Sequence, residues 1–250
     1  MSRYENCEKA KKHVKMVSNK YSDKVKECVN KSKIYKDGVC EEVVVTEFFD
    51  TEYSLMKCTT QQALKSIKSD EKICLLNFAS FKHAGGGFIR GSMAQEESLC
   101  HDSILYNVLS NKKFEDEFYS KNLSRLNNSL YTSDLIYTPN VLFTSCNKYS
   151  DVITCAAPNY GAYSKYNLPN KDYESAVVSR IDHVLFSAYI EGVKILILGA
   201  FGCGVFGNDP DYIAKVMHDL LETKYKGVFS KVVFAIPDNK NYGAFKKYYE

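Results

Sequence analysis

The chain predicts an α/β protein of three layers, a sheet between two layers of helices. Three observations carry this expectation. Short β-branched or aliphatic runs alternate with amphipathic stretches. Two runs, 72–78 and 194–200, are almost wholly apolar, as parallel strands covered on both faces must be. No linker rich in Pro, Ser or Gly and no internal repeat divides the sequence. One domain with a helical extension at its N-terminus is the simplest partition.

In chain order, residues 5–30 place Val14, Val17, Tyr21, Val25 and Cys28 at spacings of three and four, which predicts one amphipathic helix. Lys36-Asp37-Gly38 ends it as a turn. Residues 42–46 are short and β-branched and predict a strand. Thr59 or Thr60 would cap a helix carrying Ala63, Leu64 and Ile67. The strand 72–78 leads into a glycine-rich loop, 84–92, followed by helices over 93–109 and 114–126. Two strands, 141–144 and 151–155, precede a long helix over 173–191. The strand 194–200 leads into a second glycine-rich loop, then a helix over 210–225 that starts at Pro210. A strand at 232–236 and a helix over 242–249 complete the pattern.

Composition narrows the function classes. Apolar residues make up 45% and charged residues 25%, as in soluble globular proteins. A net charge of +3 is too small to argue for nucleic acid, and no sequence-specific nucleic-acid binding is expected. Lys9, Lys11, Lys12, Lys15, Lys20, Lys24 and Lys26 concentrate the basic excess, as a solvated helix face or a contact to a polyanion. The opening MSRYENCEKAKK has no apolar core of a signal peptide, and no stretch is long enough for a membrane span. Nine cysteines without CxxC pairs or histidines at metal spacing predict reduced thiols. The expectation is a cytoplasmic monomer without metal or cofactor, nuclear in a eukaryotic or viral setting.

The segment from Asn77 to Glu97 reads NFASFKHAGGGFIRGSMAQEE. Gly85, Gly86 and Gly87 follow a buried strand and would expose main-chain N–H groups to an anionic ligand, or simply make a turn. Gln95, Glu96 and Glu97 begin the next helix, where negative charge is favourable in any case. Consecutive helical residues diverge by about 100°. The two glutamates therefore cannot flank one sugar as the two-carboxylate glycosidase scheme requires. A division of labour fits better: one holds ribose hydroxyls and the other reaches the glycosidic oxygen. Residues 199–210 repeat the theme after the second apolar strand, with Gly202, Gly204 and Gly207 ahead of a helix. The two loops would form two walls of one diphosphate site. Cys203 lacks a positioned base and reads as a packing residue. His83 reads as solvated, and His101 as a surface residue one turn beyond Glu97.

Triple glycine, seven residues, then Gln-Glu-Glu resembles the signature of poly(ADP-ribose) glycohydrolases. The flanks Leu76-Asn77-Phe78-Ala79-Ser80 and Glu97-Ser98-Leu99-Cys100 resemble the shorter microbial branch. Residues 199–210 resemble the phosphate-binding loop of microbial glycohydrolases and macrodomains, and 153–159 and 234–238 resemble strand ends of the same family. The likeness runs from about Glu42 onward. It implies a three-layer α/β/α macrodomain with a mixed central sheet, formed by residues 41–250 as one structural unit. Residues 1–40 would be an accessory helical extension.

The resemblance further implies hydrolysis of the ribose–ribose O-glycosidic bond of poly(ADP-ribose), releasing ADP-ribose. Glu97 would be the acid/base and Glu96 the partner of ribose hydroxyls. Asn77, Ser80, Gly85, Gly86, Gly87, Phe88 and Gln95 would bind substrate from the first loop. Gly202, Cys203, Gly204, Val205, Phe206, Gly207 and Asn208 would do so from the second, with Phe206 near the distal ribose. Animal-type glycohydrolases carry a ribose-contacting asparagine where this chain has Ser80, whose reach is shorter. That departure bears on polymer preference. The alternatives are a mono-ADP-ribosyl hydrolase acting on modified protein or nucleic acid, and a non-catalytic ADP-ribose-binding module. In each case the partners are ADP-ribose and ADP-ribosylated macromolecules.

Overall fold

The structure is a computed structural model and describes residues 2–38 and 41–250. In chain order its elements are α1 (Arg3–Lys20), α2 (Ser22–Lys31), β1 (Lys33–Tyr35), β2 (Glu52–Met56), α3 (Thr60–Ser66) and β3 (Ile73–Phe78). Next come α4 (Gln95–Asp102), α5 (Leu105–Leu109) and α6 (Lys112–Phe114), a π-helical turn (Glu115–Tyr119), and α7 (Ser120–Asn122). They are followed by β4 (Leu135–Phe143), β5 (Lys148–Cys155), α8 (Tyr160–Tyr163), α9 (Asn170–Ile190), β6 (Ile195–Leu198), α10 (Pro210–Glu222), β7 (Lys231–Ala235) and α11 (Asn239–Tyr249).

The seven strands form one mixed sheet in the order β1-β4-β5-β3-β6-β7-β2. β5, β3, β6, β7 and β2 run parallel, while β4 is antiparallel to both of its neighbours. Strand alternation sorts the core onto two faces. Leu76, Ile153, Leu196 and Phe234 meet α9, α10 and α11. Leu75, Val152, Ile197 and Val233 meet α2, α3 and α5. This is the three-layer arrangement the alternating pattern predicts.

Several local expectations are corrected. The helix predicted over 5–30 is two helices, broken at Tyr21 (φ −127°). The break lets α1 bury Ala10 and Val17 while α2 turns to bury Cys28 and Val29. Residues 42–46 are not a strand. Val44 is 61% exposed, and its N–H and C=O are both met by the Tyr189 hydroxyl instead of a ladder. The edge beside β7 is taken by β2, which the sequence reading missed.

The helix predicted over 93–109 is interrupted at Ser103. That residue bridges to Phe143, and its hydroxyl donates to Leu99 O while accepting from Leu105 N–H. The strand predicted at 141–144 is the second half of a longer one, kinked by a bulge between Thr138 and Val141 around Pro139. Thr59 rather than Thr60 caps α3, in a reciprocal pair with Gln62.

The first helix is fastened to the glycine-rich loop that follows β3. Arg3 Nε donates to Arg90 O, Asn6 Nδ2 to Gly91 O, and Cys7 Sγ to Ile89 O. Phe88, fully buried, fills the space beneath, its ring edge-on to His101 and near Tyr106 and His13. Gly91 sits at φ 79°, and a Cβ there would lie 2.1 Å from Arg3 O. Gly91→Ala is therefore expected to destabilise the protein by roughly 2–4 kcal/mol, combining left-handed strain with a main-chain clash. Urea unfolding checks this, and a loss under 0.5 kcal/mol would mean that α1 does not seat on the loop as described.

Candidate active site

The two glycine-rich loops leave adjacent strands at their carboxyl ends, the first after β3 and the second after β6. The β3–β6 ladder stops at Leu75 and Ile197, so the two strands splay beyond it. The Gln95 side chain occupies the gap. Its Oε1 accepts from Phe78 N–H (2.9 Å), and its Nε2 donates to Leu76 O (2.8 Å) and Thr60 Oγ1 (3.2 Å). One amide thus replaces the missing strand partner and pins the start of α4 to β3.

The two glutamates that follow are 3% and 7% exposed. Glu97 Oε1 accepts from Gly87 N–H (2.8 Å) and Oε2 from Ala94 N–H (2.9 Å). Glu96 Oε2 accepts from Ser80 N–H (2.7 Å) and Oε1 from Asn77 Nδ2 (3.3 Å). Gly86, at φ 59°, closes over both: a Cβ there would lie 2.7 Å from Glu97 Oε1 and 2.9 Å from Glu96 Oε2. The carboxylates therefore converge on one point under the loop and do not flank a cavity.

Hydrogen bonds to a charged group stabilise it by about 1.5–3 kcal/mol each, yet for Glu96 burial outweighs them. Burial pushes this carboxyl up to about 8, against the lowering effect of the Ser80 N–H, the Asn77 amide and the Gly85 N–H. The negative charge of Glu97 adds to the rise.

A cleft of about 420 Å³ lies between the loops. Phe78, Gln95 and Ser98 line one side, and Gly202, Gly204, Val205 and Phe206 the other. Asn208 shapes the second loop from behind. Its Oδ1 accepts from the Tyr173 hydroxyl (3.2 Å), and its Nδ2 lies where a Cβ on Gly202 would intrude, at 2.2 Å. Burial pushes the Cys203 thiol up to about 12, so it is a neutral packing group and not a nucleophile.

An aromatic bridge joins the loops. Phe81 of the first stacks on Tyr131 (4.3 Å, 13°), which in turn meets Phe206 of the second (6.1 Å). Tyr131 takes φ 64° in a segment where Asn127, Asn128 and Ser129 also lie in the left-handed region. The buried Arg180 holds this segment, donating to Leu130 O, Ala156 O and Ser133 Oγ.

The model of the microbial-type PARG catalytic domain family matches residues 4–145, more than half of the chain. The chain belongs to that family. It is 28% identical to the poly(ADP-ribose) glycohydrolase of Thermomonospora curvata, solved with the inhibitor ADP-HPD. That likeness has a TM-score of 0.84 and covers 98% of this chain and 99% of that one. It is 29% identical to the Deinococcus radiodurans enzyme solved with ADP-ribose, with a TM-score of 0.77 over 89% of this chain and 96% of that one. No curated protein sequence matches it.

For this glycohydrolase-family chain, the structure divides the residues nominated from sequence into three groups. Gln95, Gly202, Gly204, Val205 and Phe206 line the cleft, with Val205 88% exposed at the loop tip. Glu96, Glu97, Gly85, Gly86 and Gly87 form the carboxylate nest beside it. Asn77, Phe88, Asn208, Cys203 and Gly207 support the loops, and the side chains of Asn77, Phe88 and Asn208 are buried. The expectation that Phe88 binds substrate is corrected for its side chain: the ring is 0% exposed and packs against α1 and α4. The Ser80 hydroxyl turns back to accept from Lys82 and His83 N–H, so what Ser80 gives the site is its own N–H.

Sequence reasoning missed Thr59, Thr60, Gln61, Asp238 and Asn241, which close the far end of the cleft. They start α3 and α11, just past the carboxyl ends of β2 and β7. The helix-capping signals of Thr59 and Asp238 could have nominated them, because all parallel strands of a sheet open on one rim.

The raised Glu96 carboxyl has a consequence for stability. The folded protein binds that proton more tightly than the unfolded chain. The stabilisation is therefore complete at low pH and lost as pH rises from about 4.5 toward about 8. Glu96→Gln is expected to be more stable than wild type above pH 8, by roughly 1–3 kcal/mol, with the gap closing at pH 5. Chemical denaturation at the two pH values decides it; an equal gap at both would remove the titration from Glu96.

Proposed function

We propose that the chain hydrolyses the ribose–ribose O-glycosidic bond of poly(ADP-ribose) and releases ADP-ribose, with Glu97 as the single acid/base. The observation that carries this reading is the convergence of Glu96 and Glu97 on Gly86. Two carboxylates placed side by side cannot act from opposite faces of a sugar. One group must then serve both proton transfers.

Gly87 and Ala94 N–H groups orient the Glu97 carboxyl and leave further lone-pair sites free. Glu97 gives its proton to the departing glycosidic oxygen as the bond to the anomeric carbon breaks. An oxocarbenium-like ribosyl cation results. Glu97, now a carboxylate, takes a proton from the water that adds to that carbon and so regains its acid form. Glu96 holds ribose hydroxyls, and Phe206 packs near the distal ribose. Cys203, Gly207 and Asn208 spend their N–H groups on carbonyls within the second loop, and those of Gly204, Val205 and Phe206 at the cleft receive the diphosphate ahead of α10. In this reading residues 41–250 are a macrodomain-type catalytic unit; of the residues before it, α1 buttresses the first loop and β1 adds an edge strand beside β4. The likeness to solved glycohydrolases holding ADP-HPD and ADP-ribose supports the same ligand class here.

The test is release of ADP-ribose from purified poly(ADP-ribose). Wild type is expected to release it. Glu97→Gln is expected to lose about 10²–10⁴ in rate while still binding ADP-ribose. Removal of ADP-ribose from modified protein with polymer left intact would replace this reading with a mono-ADP-ribosyl hydrolase. Tight binding without release would make the protein a reader.

A further inference from the structure

Behind Glu96 lies a polar pair that the cleft does not use. Asn77 on β3 and Thr154 on β5 are partners across the parallel ladder, and both are fully buried. The Asn77 amide nitrogen stands 3.3 Å from Glu96 Oε1 and 3.3 Å from Thr154 Oγ1, so one NH₂ group serves two oxygens. Its carbonyl oxygen, Oδ1, is buried and receives no hydrogen bond among the described residues. A buried acceptor left unpaired is costly, which marks this amide as incompletely satisfied in its present orientation.

A half-turn of the amide exchanges its two ends. Oδ1 would then face the same two oxygens, and it can only accept. That orientation requires a proton on Glu96 Oε1 and the Thr154 hydroxyl turned to donate. Both requirements can be met, because a hydroxyl rotates freely between the two roles and a carboxyl gains a donor on protonation. Ser80 N–H already serves Oε2, an acceptor in either state, so the proton belongs on Oε1.

We propose that Asn77 and Thr154 are positioning residues for Glu96, an amide pivot that holds Glu96 Oε1 in one place in both of its protonation states. With Glu96 ionised, Asn77 Nδ2 donates to Oε1 and to Thr154 Oγ1. With Oε1 protonated, Asn77 Oδ1 accepts from it and from the Thr154 hydroxyl. No proton passes through the amide; it stays on Glu96 or leaves toward solvent or substrate. The inference rests on the reading of Glu96 as the ribose partner, since a carboxyl fixed in place can accept from a ribose hydroxyl in one state and donate to it in the other.

Three titratable groups face Glu96. Glu97 and Cys100 face it from its own helix, and Tyr119 from the π-helical turn. Burial keeps the Cys100 thiol and the Tyr119 hydroxyl neutral. The charge acting on Glu96 is therefore that of Glu97.

The test reads Glu96 directly, by carboxyl-carbon NMR titration of labelled glutamate in ligand-free protein, beside kcat/KM for polymer against pH. The variants are Asn77→Leu, Thr154→Val and Thr154→Ser. Asn77→Leu removes a charge-assisted bond from the carboxylate but only a weaker neutral one from the acid form, so the titration near pH 8 is expected to move up by about half a unit to one unit. Thr154→Val deprives the amide of its second partner and is expected to lower kcat/KM about tenfold, with Thr154→Ser restoring it. A merely structural threonine would not give that split. An unmoved Asn77→Leu titration, or equal rates for Thr154→Val and Thr154→Ser, overturns the proposal. If Asn77→Leu does not fold, the threonine pair alone decides. A wild type that cleaves no polymer while its Glu96 titration responds to Asn77→Leu would sink the assigned reaction and leave the pivot standing.

Discussion

Two carboxylates can be buried side by side only where main-chain N–H groups take the place of water. The loop after β3 supplies those groups from both of its ends. Ser80, near its start, serves Glu96; Gly87 and Ala94, near its close, serve Glu97. The loop must therefore fold back across the head of α4, and its geometry follows from that demand. Gly86 lacks a side chain because both carboxyl groups occupy the space one would need. Gln95 is an amide because the splayed strands leave one acceptor and one donor to be met. The field at the start of a helix adds to the effect by favouring negative charge there.

A nest of this kind is only as rigid as the parts around it. The first helix presses on the loop from outside, through main-chain carbonyls at Ile89, Arg90 and Gly91. From inside, β3 and β5 present Asn77 and Thr154. The second loop is tied to the first through the ring sequence Phe81, Tyr131 and Phe206. Tyr131 adopts a backbone conformation that costs of order 1–3 kcal/mol, and such strain persists only where surrounding contacts over-determine it. The guanidinium of Arg180 does this by gathering carbonyls from two separate segments.

The layers and the site were legible in the sequence to different degrees. Continuous apolar runs such as 73–78 and 195–198 announced the central strands because burial on both faces leaves no other composition open to them. The association of Glu96 and Glu97 with the glycine loop was legible because the triple glycine stands just ahead of the paired acids. The edge strand β2 was not, because an edge position buries only part of its length and its pattern stays mixed. Val43, Val44 and Val45 misled for another reason: their strand propensity is real, but Val44 spends its N–H and C=O on the Tyr189 hydroxyl and the run joins no ladder. Phe88 was placed in the site by its position in the motif, whereas its ring is the anchor for α1. Thr59 and Asp238 went unread as site residues because capping is a local signal, and only the sheet order brings those caps to one rim.

The strand order also fixes when the site can exist. β2 lies at the sheet edge beside β7, and Glu52 pairs in register with Lys231. Asp238 and Asn241, which close the cleft, come later still. During synthesis the loop with its two glutamates leaves the ribosome long before the strand and helix that complete the cleft. α1 waits in the same way, since its seat is the stretch Ile89–Gly91 late in that loop. Contacts so distant along the chain must close late and slowly, after local helices have formed. The nascent chain therefore carries Glu96 and Glu97 for a time without the residues that complete the cleft.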